Sequence, residues 1–155
     1  IPNRPPGDPR LAVAVDGSPG ASAALRTIAQ RRWPPHTQAL VLAVVDPRVN
    51  VADNPFAPPP GDVLAVSEQE AHTWVDETVE SAAAILTRAH LATTTLISEG
   101  DPKHAIIEDA EAWQADTIFL GASGITRRGY LVLGSVSTAV AARAHCTVEV
   151  VRSAP

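Results

Sequence analysis

Five short apolar runs alternate along the chain with longer segments in which apolar residues recur every three to four positions. Short, nearly continuous apolar runs are typical of parallel strands covered on both faces, and the recurring pattern is typical of helices. Strands are therefore predicted at 11–16, 39–46, 93–98, 117–121 and 147–151. Helices are predicted from Pro19 to the stop at Pro34-Pro35, from 67–70 through Leu86, from Pro102 to Trp113, and over 135–145.

Capping signals mark where the four helices begin. Two of them pair an N-cap residue with proline at the first helical position, one is a capping box, and one is a single serine N-cap. In chain order they are Ser18-Pro19, 67–70, Asp101-Pro102 and Ser135.

Strands that alternate with helices specify a parallel sheet with helices on both faces. Right-handed crossovers limit how the chain can wind, and the predicted strand order is 3-2-1-4-5. In that order the chain reverses between strands 1 and 4, and ligands bind outside the carboxyl ends of the strands at such a point. The residues delivered there are Asp16 and the segment 121–124.

The predicted domain covers residues 11–152, a length close to the common domain size of about 100–150 residues. Residues 1–10 are rich in proline and charge and are expected to form a tail or linker. The connection 47–66 is long and contains five prolines, which suits a lid, a partner-binding arm or a variable loop. Because the sequence starts at Ile1 and lacks methionine, we expect a longer gene product, in which this domain could be one half of a tandem protein.

Composition narrows the function classes. With 45% apolar and 19% charged residues the chain can bury a core, and its net charge of −5 argues against binding to nucleic acid or anionic membranes. No apolar run has the length of a membrane span, and no signal peptide opens the sequence. A single cysteine, Cys146, excludes an internal disulfide, so a cytoplasmic location is expected.

The segment 121–137 reads GASGITRRGYLVLGSVS and places four glycines ahead of the last predicted helix. Glycine clusters allow tight turns and close approach to a ligand, and phosphate is the common ligand at a helix N-terminus. A dinucleotide fingerprint is excluded because DGSPG, not GxGxxG, follows the first strand. A P-loop is excluded because Ser135 stands where that motif requires lysine, and the SGGxDS motif of adenylating enzymes is absent.

The spacing Gly121-x2-Gly124-x9-Gly134-Ser135 resembles the G-x2-G-x9-G-S/T motif of the universal stress protein family, in its ATP-binding branch. Further segments are similar to the family in the same order: VAVDGS at the first strand, AVVDP at the second, a GDP turn, and an alanine-rich last helix before a valine-rich strand. The resemblance covers roughly residues 10–152. It implies a Rossmann-like sheet of the adenine nucleotide alpha hydrolase type.

The resemblance also implies a binding mode for ATP, with Mg²⁺ carried by the nucleotide. Asp16 would lie at the adenosine end beside Ala14 and Val15, and the backbone of Val44 would recognise adenine. The glycines Gly121 and Gly124, with Leu120 and Ser123, would follow the fourth strand. The phosphates would meet the start of the last helix, at Gly134, Ser135, Val136 and Ser137.

Two positions depart from the family pattern. Many members have proline where Thr147 stands, and Glu149 occupies a usually apolar position of the last strand. The family commonly forms homodimers by pairing this strand with its mate. A homodimer through the last strand is therefore expected, and Glu149 bears on whether that interface forms.

Several residues admit more than one role. Asp16 either contacts the ligand or caps the first helix, and one of Arg127 and Arg128 could reach the phosphates. Asp46 is interpreted as a strand terminus rather than a metal ligand, and the histidines lack metal-ligand spacing. Cys146 is interpreted as a small apolar residue. The tryptophans are expected in the core at Trp33, Trp74 and Trp113.

The sequence contains neither paired carboxylates nor a nucleophile beside a base, and its one lysine, Lys103, starts another helix. Phosphoryl transfer needs cations and a positioned nucleophile, so slow hydrolysis at most is expected. The leading hypothesis is a nucleotide-dependent regulator of the stress response that acts through a protein partner. The alternatives are a regulator that binds AMP or cyclic AMP, and a nucleotide-free dimeric interaction module.

Overall fold

The computed structural model describes residues 8–48, 68–122 and 134–153, with backbone alone for 68–71. In chain order the elements are β1 (Arg10–Ala14), α1 (Pro19–Gln30), β2 (Gln38–Val45), α2 (Glu68–Arg88), β3 (Ala92–Glu99), α3 (Pro102–Ala112), β4 (Thr117–Gly121), α4 (Ser135–Arg143) and β5 (Thr147–Val151). The strands form one sheet in the order β3-β2-β1-β4-β5, and every pairing is parallel. The predicted fold class and strand order are confirmed.

The central strands β1, β2 and β4 are buried on both faces, since alternate residues point to opposite sides and each side meets helices. Helices α1 and α2 cover the face that carries Leu11, Val13, Val41 and Phe119. Helices α3 and α4 cover the other face, which carries Leu40, Leu42, Ile118 and Leu120. The two faces thus form two separate core clusters. Full burial of one such side chain stabilises the fold by about 1.5–3 kcal/mol. The continuous apolar runs of the sequence reflect this two-sided burial.

The caps of α1 and α3 form as predicted. The Ser18 hydroxyl accepts a hydrogen bond from the Ala21 N–H at 3.2 Å, and an Asp101 carboxylate oxygen accepts one from the Lys103 N–H at 3.0 Å. Helix α2 begins at Glu68, while Ser67 and the side chains of the predicted capping box lie outside the described residues.

Two helix boundaries differ from the prediction. Helix α1 ends at Gln30 rather than at Pro34-Pro35, because Arg31 takes an extended conformation and the Trp33 indole N–H donates to the Ile28 carbonyl at 2.8 Å. The Trp33 indole thus takes the Ile28 carbonyl, which the next helical turn would have used as a hydrogen-bond acceptor. Helix α4 ends at Arg143, with Ala144 extended, and stops short of the predicted residue 145.

The prediction of Ser135 as N-cap is wrong. Gly134 is the N-cap of α4, with φ −63° and ψ 162°, and Ser135 is the first helical residue. Serine is the stronger capping residue by sequence preference, but the extended backbone of Gly134 gives it the N-cap position, so the helix starts one residue earlier. Within residues 8–48, 68–122 and 134–153, no side chain caps this helix.

The tryptophans Trp33, Trp74 and Trp113 were expected in the core, and they are half-buried and pack against its edge rather than within it. Of the predicted connection 47–66, residues 49–66 lie outside the described part of the chain. None of the described helices has the length and apolar character needed to cross a membrane.

Candidate functional site

A cavity of about 420 Å³ opens at the carboxyl ends of the central strands β1, β2 and β4. Its volume lies in the range of about 300–1,000 Å³ that small-molecule sites occupy. The starts of α1, α3 and α4 border it through Pro19, Pro102 and Ser135. The cavity therefore lies at the point where the strand order reverses, as the topology predicts.

Ten of the twelve residues predicted for the site line this one cavity. They are Ala14, Val15, Asp16, Val44, Leu120, Gly121, Gly134, Ser135, Val136 and Ser137. The other two, Ser123 and Gly124, lie outside the described residues, as do Arg127 and Arg128. The structure thus brings together residues from four separate segments of the chain.

Asp16 is exposed in the cavity and organises the turn that leads into α1. Its Oδ1 accepts a hydrogen bond from the Ser18 N–H at 2.9 Å, while Ser18 caps the helix. Asp16 therefore supports the cap without being the cap itself. Among the described residues that line the cavity it is the one with a formal charge.

The three helix starts at the cavity differ in how their backbone N–H groups are satisfied. Ser18 and Asp101 provide side-chain acceptors to α1 and α3. Gly134 provides none to α4. The first N–H groups of a helix have no partner within the helix, and its N-terminus carries partial positive charge. The start of α4 is thus the cavity wall best suited to an anion.

Ser137 is buried in the first turn of α4, with 5% of its surface exposed. Its hydroxyl donates a hydrogen bond to the Gly121 carbonyl at 2.9 Å. This bond joins the start of α4 to the end of β4. The two residues lie near opposite ends of the glycine-rich segment 121–137 in the sequence. Two residues predicted to contact ligand therefore also contact each other.

A salt bridge lies beside the cavity where β2 ends. Arg48 donates to both carboxylate oxygens of Asp46, at 2.9 and 2.7 Å, and its Nη2 is 3.5 Å from Asp101 Oδ2. Hydrogen bonds from the Arg48 side chain and backbone lower the pKa of Asp46 to about 2, and the carboxylate raises the pKa of Arg48. Asp46 is thus a partnered strand terminus, which agrees with its interpretation from the sequence.

No group of three or more histidine, cysteine, aspartate or glutamate side chains is placed to hold a metal ion within residues 8–48, 68–122 and 134–153. Cys146 is half-buried, and burial, followed by the charge of Asp116, raises the pKa of its thiol. A thiol of raised pKa is a weak nucleophile at neutral pH.

Glu149 of β5 is paired within its own chain. Its carboxylate binds the Arg31 guanidinium in a two-pronged contact, which raises the pKa of Arg31, and the same guanidinium lies 5.6 Å from the centre of the Phe119 ring. The residue that departs from the family pattern is therefore neutralised by an arginine at the end of α1.

Several residues that line the cavity were missed by the sequence prediction. They are Ser18, Pro19, Gly20, Ala21, Leu42, Pro102, Ile106 and Ser153, whereas Ala122 belongs to the segment 121–124 that the topology places at the site. Ser18 and Pro102 belong to the quoted VAVDGS and GDP segments, so the resemblance could have located them. Gly20 is not part of any motif recognised in the sequence. Its role, to allow close packing of α1 against β4, is visible only in the structure.

Known proteins resemble this chain in sequence and in fold. A stretch of 58 residues is 43% identical to universal stress protein MJ0531 of Methanocaldococcus jannaschii. It covers 37% of this chain and 34% of that protein, about a third of the relative's length. The solved structure of the hypothetical protein MJ0577 has a TM-score of 0.73 at 22% identity, over 92% of this chain and 94% of that one.

Two further solved structures of similar fold contain nucleotides. A universal stress protein in complex with cAMP has a TM-score of 0.65 at 18% identity, over 96% of this chain and 99% of that one. A universal stress protein family protein from Arabidopsis thaliana with AMP bound has a TM-score of 0.67 at 18% identity, over 94% and 92%. At these identities the likeness shows the fold.

The family model of the universal stress proteins matches residues 9–152, almost the whole chain. Together with the strand order, this match assigns the fold to a known group. The chain belongs to the universal stress protein family.

Proposed function

We propose that this chain is an ATP-binding universal stress protein that acts as a nucleotide-dependent regulator. The observation that carries the proposal is the start of α4, which borders the cavity and has no side-chain cap among the described residues. Hydrogen bonds to a charged acceptor contribute about 1.5–3 kcal/mol each. Three or four of them, less the cost of association, correspond to binding on the order of micromolar.

In the proposed complex, adenine lies against Ala14 and Val15 and meets the backbone of Val44, while Asp16 contacts the ribose side. The phosphates lie at the start of α4 over Gly134, Ser135, Val136 and Ser137. Leu120, Gly121, Ser123 and Gly124 complete the site between the two ends. Mg²⁺ would arrive with the nucleotide, because the described lining offers one carboxylate, Asp16, and not a set of metal ligands.

AMP and cyclic AMP form the second candidate ligand class. Solved structures of similar fold contain them, and the described cavity lining has no cation to balance the charge of a triphosphate. A helix N-terminus binds phosphate but does not by itself fix the number of phosphate groups. Direct competition between ATP, AMP and cyclic AMP on the same preparation ranks the three.

The proposed activity is binding with slow hydrolysis at most. Phosphoryl transfer requires cations at the transferred group and a positioned nucleophile or water. The described lining supplies serine hydroxyls, backbone amides and Asp16, which bind and orient but do not supply cationic charge. Turnover of many cycles per second, abolished by Asp16→Ala, would contradict this view.

The proposal also includes a homodimer that forms through β5. It further includes a protein partner that binds the nucleotide-bound and nucleotide-free states differently. Strand β5 forms one edge of the sheet, and Glu149 is already neutralised by Arg31. A second subunit would thus pair with this edge without burying an unpartnered carboxylate. Sedimentation equilibrium should give twice the chain mass, and a monomer at all concentrations would remove the dimer from the proposal.

The experiment that tests the proposed function is titration calorimetry with ATP, with and without Mg²⁺, then with AMP and cyclic AMP. The matched variant is Gly134→Val, since the Gly134 backbone conformation is one that any residue adopts. We expect micromolar binding to the unaltered chain and its loss in the variant, with an unchanged circular dichroism spectrum. No heat from folded, nucleotide-stripped protein would favour the interaction module.

A further inference from the structure

We propose that the two serines of the GSVS segment have different roles, which the sequence does not distinguish. Ser137 is a positioning residue that fixes the first turn of α4 to β4, whereas Ser135 keeps the phosphate contact that the proposed function already gives it. This inference rests on the proposed function, because it concerns the phosphate end of the same site. It differs from the binding mode implied by the family resemblance, in which both residues lie among the phosphate contacts.

The Ser137 hydroxyl is already committed within the protein. It is buried and donates to the Gly121 carbonyl at 2.9 Å. A serine hydroxyl has a single proton, and phosphate oxygens act as acceptors. Ser137 could donate to phosphate only by giving up the Gly121 carbonyl, so a ligand gains no additional hydrogen bond there.

The bond from Ser137 determines where the free amides of α4 point. Ser137 and Val140 are the two described residues of α4 that are buried, and Ser137 is the one in the first turn. Its partner Gly121 is held in turn by direct backbone contact with Gly20. The hydroxyl therefore joins the start of α4 to the part of the cavity wall where Gly20 and Gly121 pack closely.

Ser135 has the opposite surroundings. It is exposed at the first helical position, and Gly134 rather than Ser135 takes the N-cap position. Within the described residues its hydroxyl has no hydrogen-bond partner. The competition between capping and ligand binding that a serine N-cap would face is absent, so its proton is available to an acceptor in the cavity.

The test compares Ser135→Ala and Ser137→Ala with Thr37→Val as the matched control. Thr37 and Ser137 are the two buried polar side chains of the described core, and the Thr37 hydroxyl also donates to a backbone carbonyl, that of Pro34 at 2.6 Å. Thr37 lies before β2, at the end of the sheet away from the cavity. Each variant is measured for ATP and adenosine affinity, and for amide hydrogen exchange in the nucleotide-free protein.

Loss of one hydrogen bond to a charged group corresponds to about tenfold in affinity, and loss of an orienting neutral bond to about fivefold. Ser135→Ala should weaken ATP about tenfold, with a smaller effect on adenosine, and leave exchange in α4 unchanged. Ser137→Ala should weaken ATP about fivefold and accelerate exchange in the first turn of α4 without any nucleotide present. Thr37→Val should lower the unfolding temperature but change neither ATP affinity nor exchange in α4. Ser137→Thr keeps the hydroxyl, so it should retain the ATP affinity and the slow exchange that Ser137→Ala loses.

If Ser137→Ala weakens ATP while exchange in free α4 stays unchanged, Ser137 contacts the phosphate directly and the assignment is wrong. If Ser135→Ala leaves ATP affinity unchanged, the role given to Ser135 is wrong. If the unaltered chain binds no nucleotide, the proposed function fails together with the role of Ser135. The exchange data then still decide whether Ser137 fixes α4.

Discussion

Gly20 in the first turn of α1 and Gly121 at the end of β4 are in direct backbone contact beside the cavity. A Cβ added to Gly121 would lie 2.2 Å from the Gly20 carbonyl carbon, and one added to Gly20 would lie 2.7 Å from the Ala122 carbonyl oxygen. Real Cβ atoms essentially never approach so closely. The first glycine of the binding motif is therefore required by helix packing, whether or not a ligand contacts it.

Gly121→Ala is expected to destabilise the fold because the added methyl group meets backbone atoms that cannot rotate away. Overpacking of this kind costs about 1–3 kcal/mol, and we expect the upper end of that range. Urea unfolding followed by circular dichroism measures the change in the free energy of unfolding. A decrease below about 0.5 kcal/mol, the range of ordinary surface substitutions, would show that α1 moves away freely.

Gly100→Ala is the matched control for this prediction. Gly100 has φ +147°, and an added Cβ would have no atom within 4 Å. The substitution therefore adds backbone strain without a steric clash, at about 1–3 kcal/mol. Nucleotide affinity separates the two, because only Gly121→Ala should also disturb the cavity wall.

The fold was predictable because the sequence signals are local and agree with one another. Continuous apolar runs mark strands buried on both faces, and Ser18 and Asp101 mark helix starts that form as expected. The end of α1 was not predictable from Pro34-Pro35. The indole of Trp33 bonds back to Ile28 and ends the helix earlier, and this contact depends on the packing of Trp33 against Phe119.

The membership of the cavity was largely predictable, but the roles of its members were not. The family resemblance identified Gly121 and Ser137. It could not show that close packing against Gly20 requires a glycine at position 121, or that the Ser137 hydroxyl donates to the Gly121 carbonyl. Both contacts join residues far apart in the sequence. Ser135 was predicted as an N-cap from residue preference, but the extended conformation of Gly134 gives that position to the glycine.

Gly134→Ser is expected to change stability and nucleotide affinity in different ways. The serine hydroxyl can cap the free amides of α4, and serine exceeds glycine at the N-cap by a few tenths of a kcal/mol. The free energy of unfolding should therefore stay equal or rise slightly. ATP affinity should fall about tenfold or more, because the hydroxyl occupies amides that would bind phosphate. Thermal unfolding and calorimetry on one preparation give both values, and tighter ATP binding would contradict the proposed site.

The salt bridge between Asp46 and Arg48 predicts a defined dependence of stability on acid. The pKa of Asp46 lies at about 2, below its ordinary value of 3.8, so the folded state favours the charged carboxylate. Its contribution is fully present above pH 3.8 and is lost as the pH falls through about 2. The difference in unfolding free energy between the unaltered chain and Asp46→Asn should therefore shrink as the pH falls from 7 towards 2.

Arg48→Met supplies the control for this pH dependence. Without the guanidinium the Asp46 carboxyl should titrate near its ordinary value, because hydrogen bonds from Arg48 are the first cause of the lowered pKa. Carbon-detected NMR titration of the Asp46 side chain measures this directly. An Asp46 pKa that stays near 2 in the variant would show that another group holds the carboxylate charged.

The pair formed by Arg31 and Glu149 should give a small coupling energy that depends on salt. Both side chains are about a third or more exposed, at 43% and 32%, and exposed ion pairs contribute about 0.2–1 kcal/mol. A double-mutant cycle with Arg31→Met and Glu149→Gln should give a coupling of about 0.5–1 kcal/mol that falls in 1 M salt. Arg31→Met should cost more than Glu149→Gln, because Arg31 also covers the Phe119 ring. Arg32→Met removes a neighbouring exposed arginine and serves as the control. If it lowers the free energy of unfolding as much as Arg31→Met does, the loss reflects the net charge of the protein rather than the specific pair.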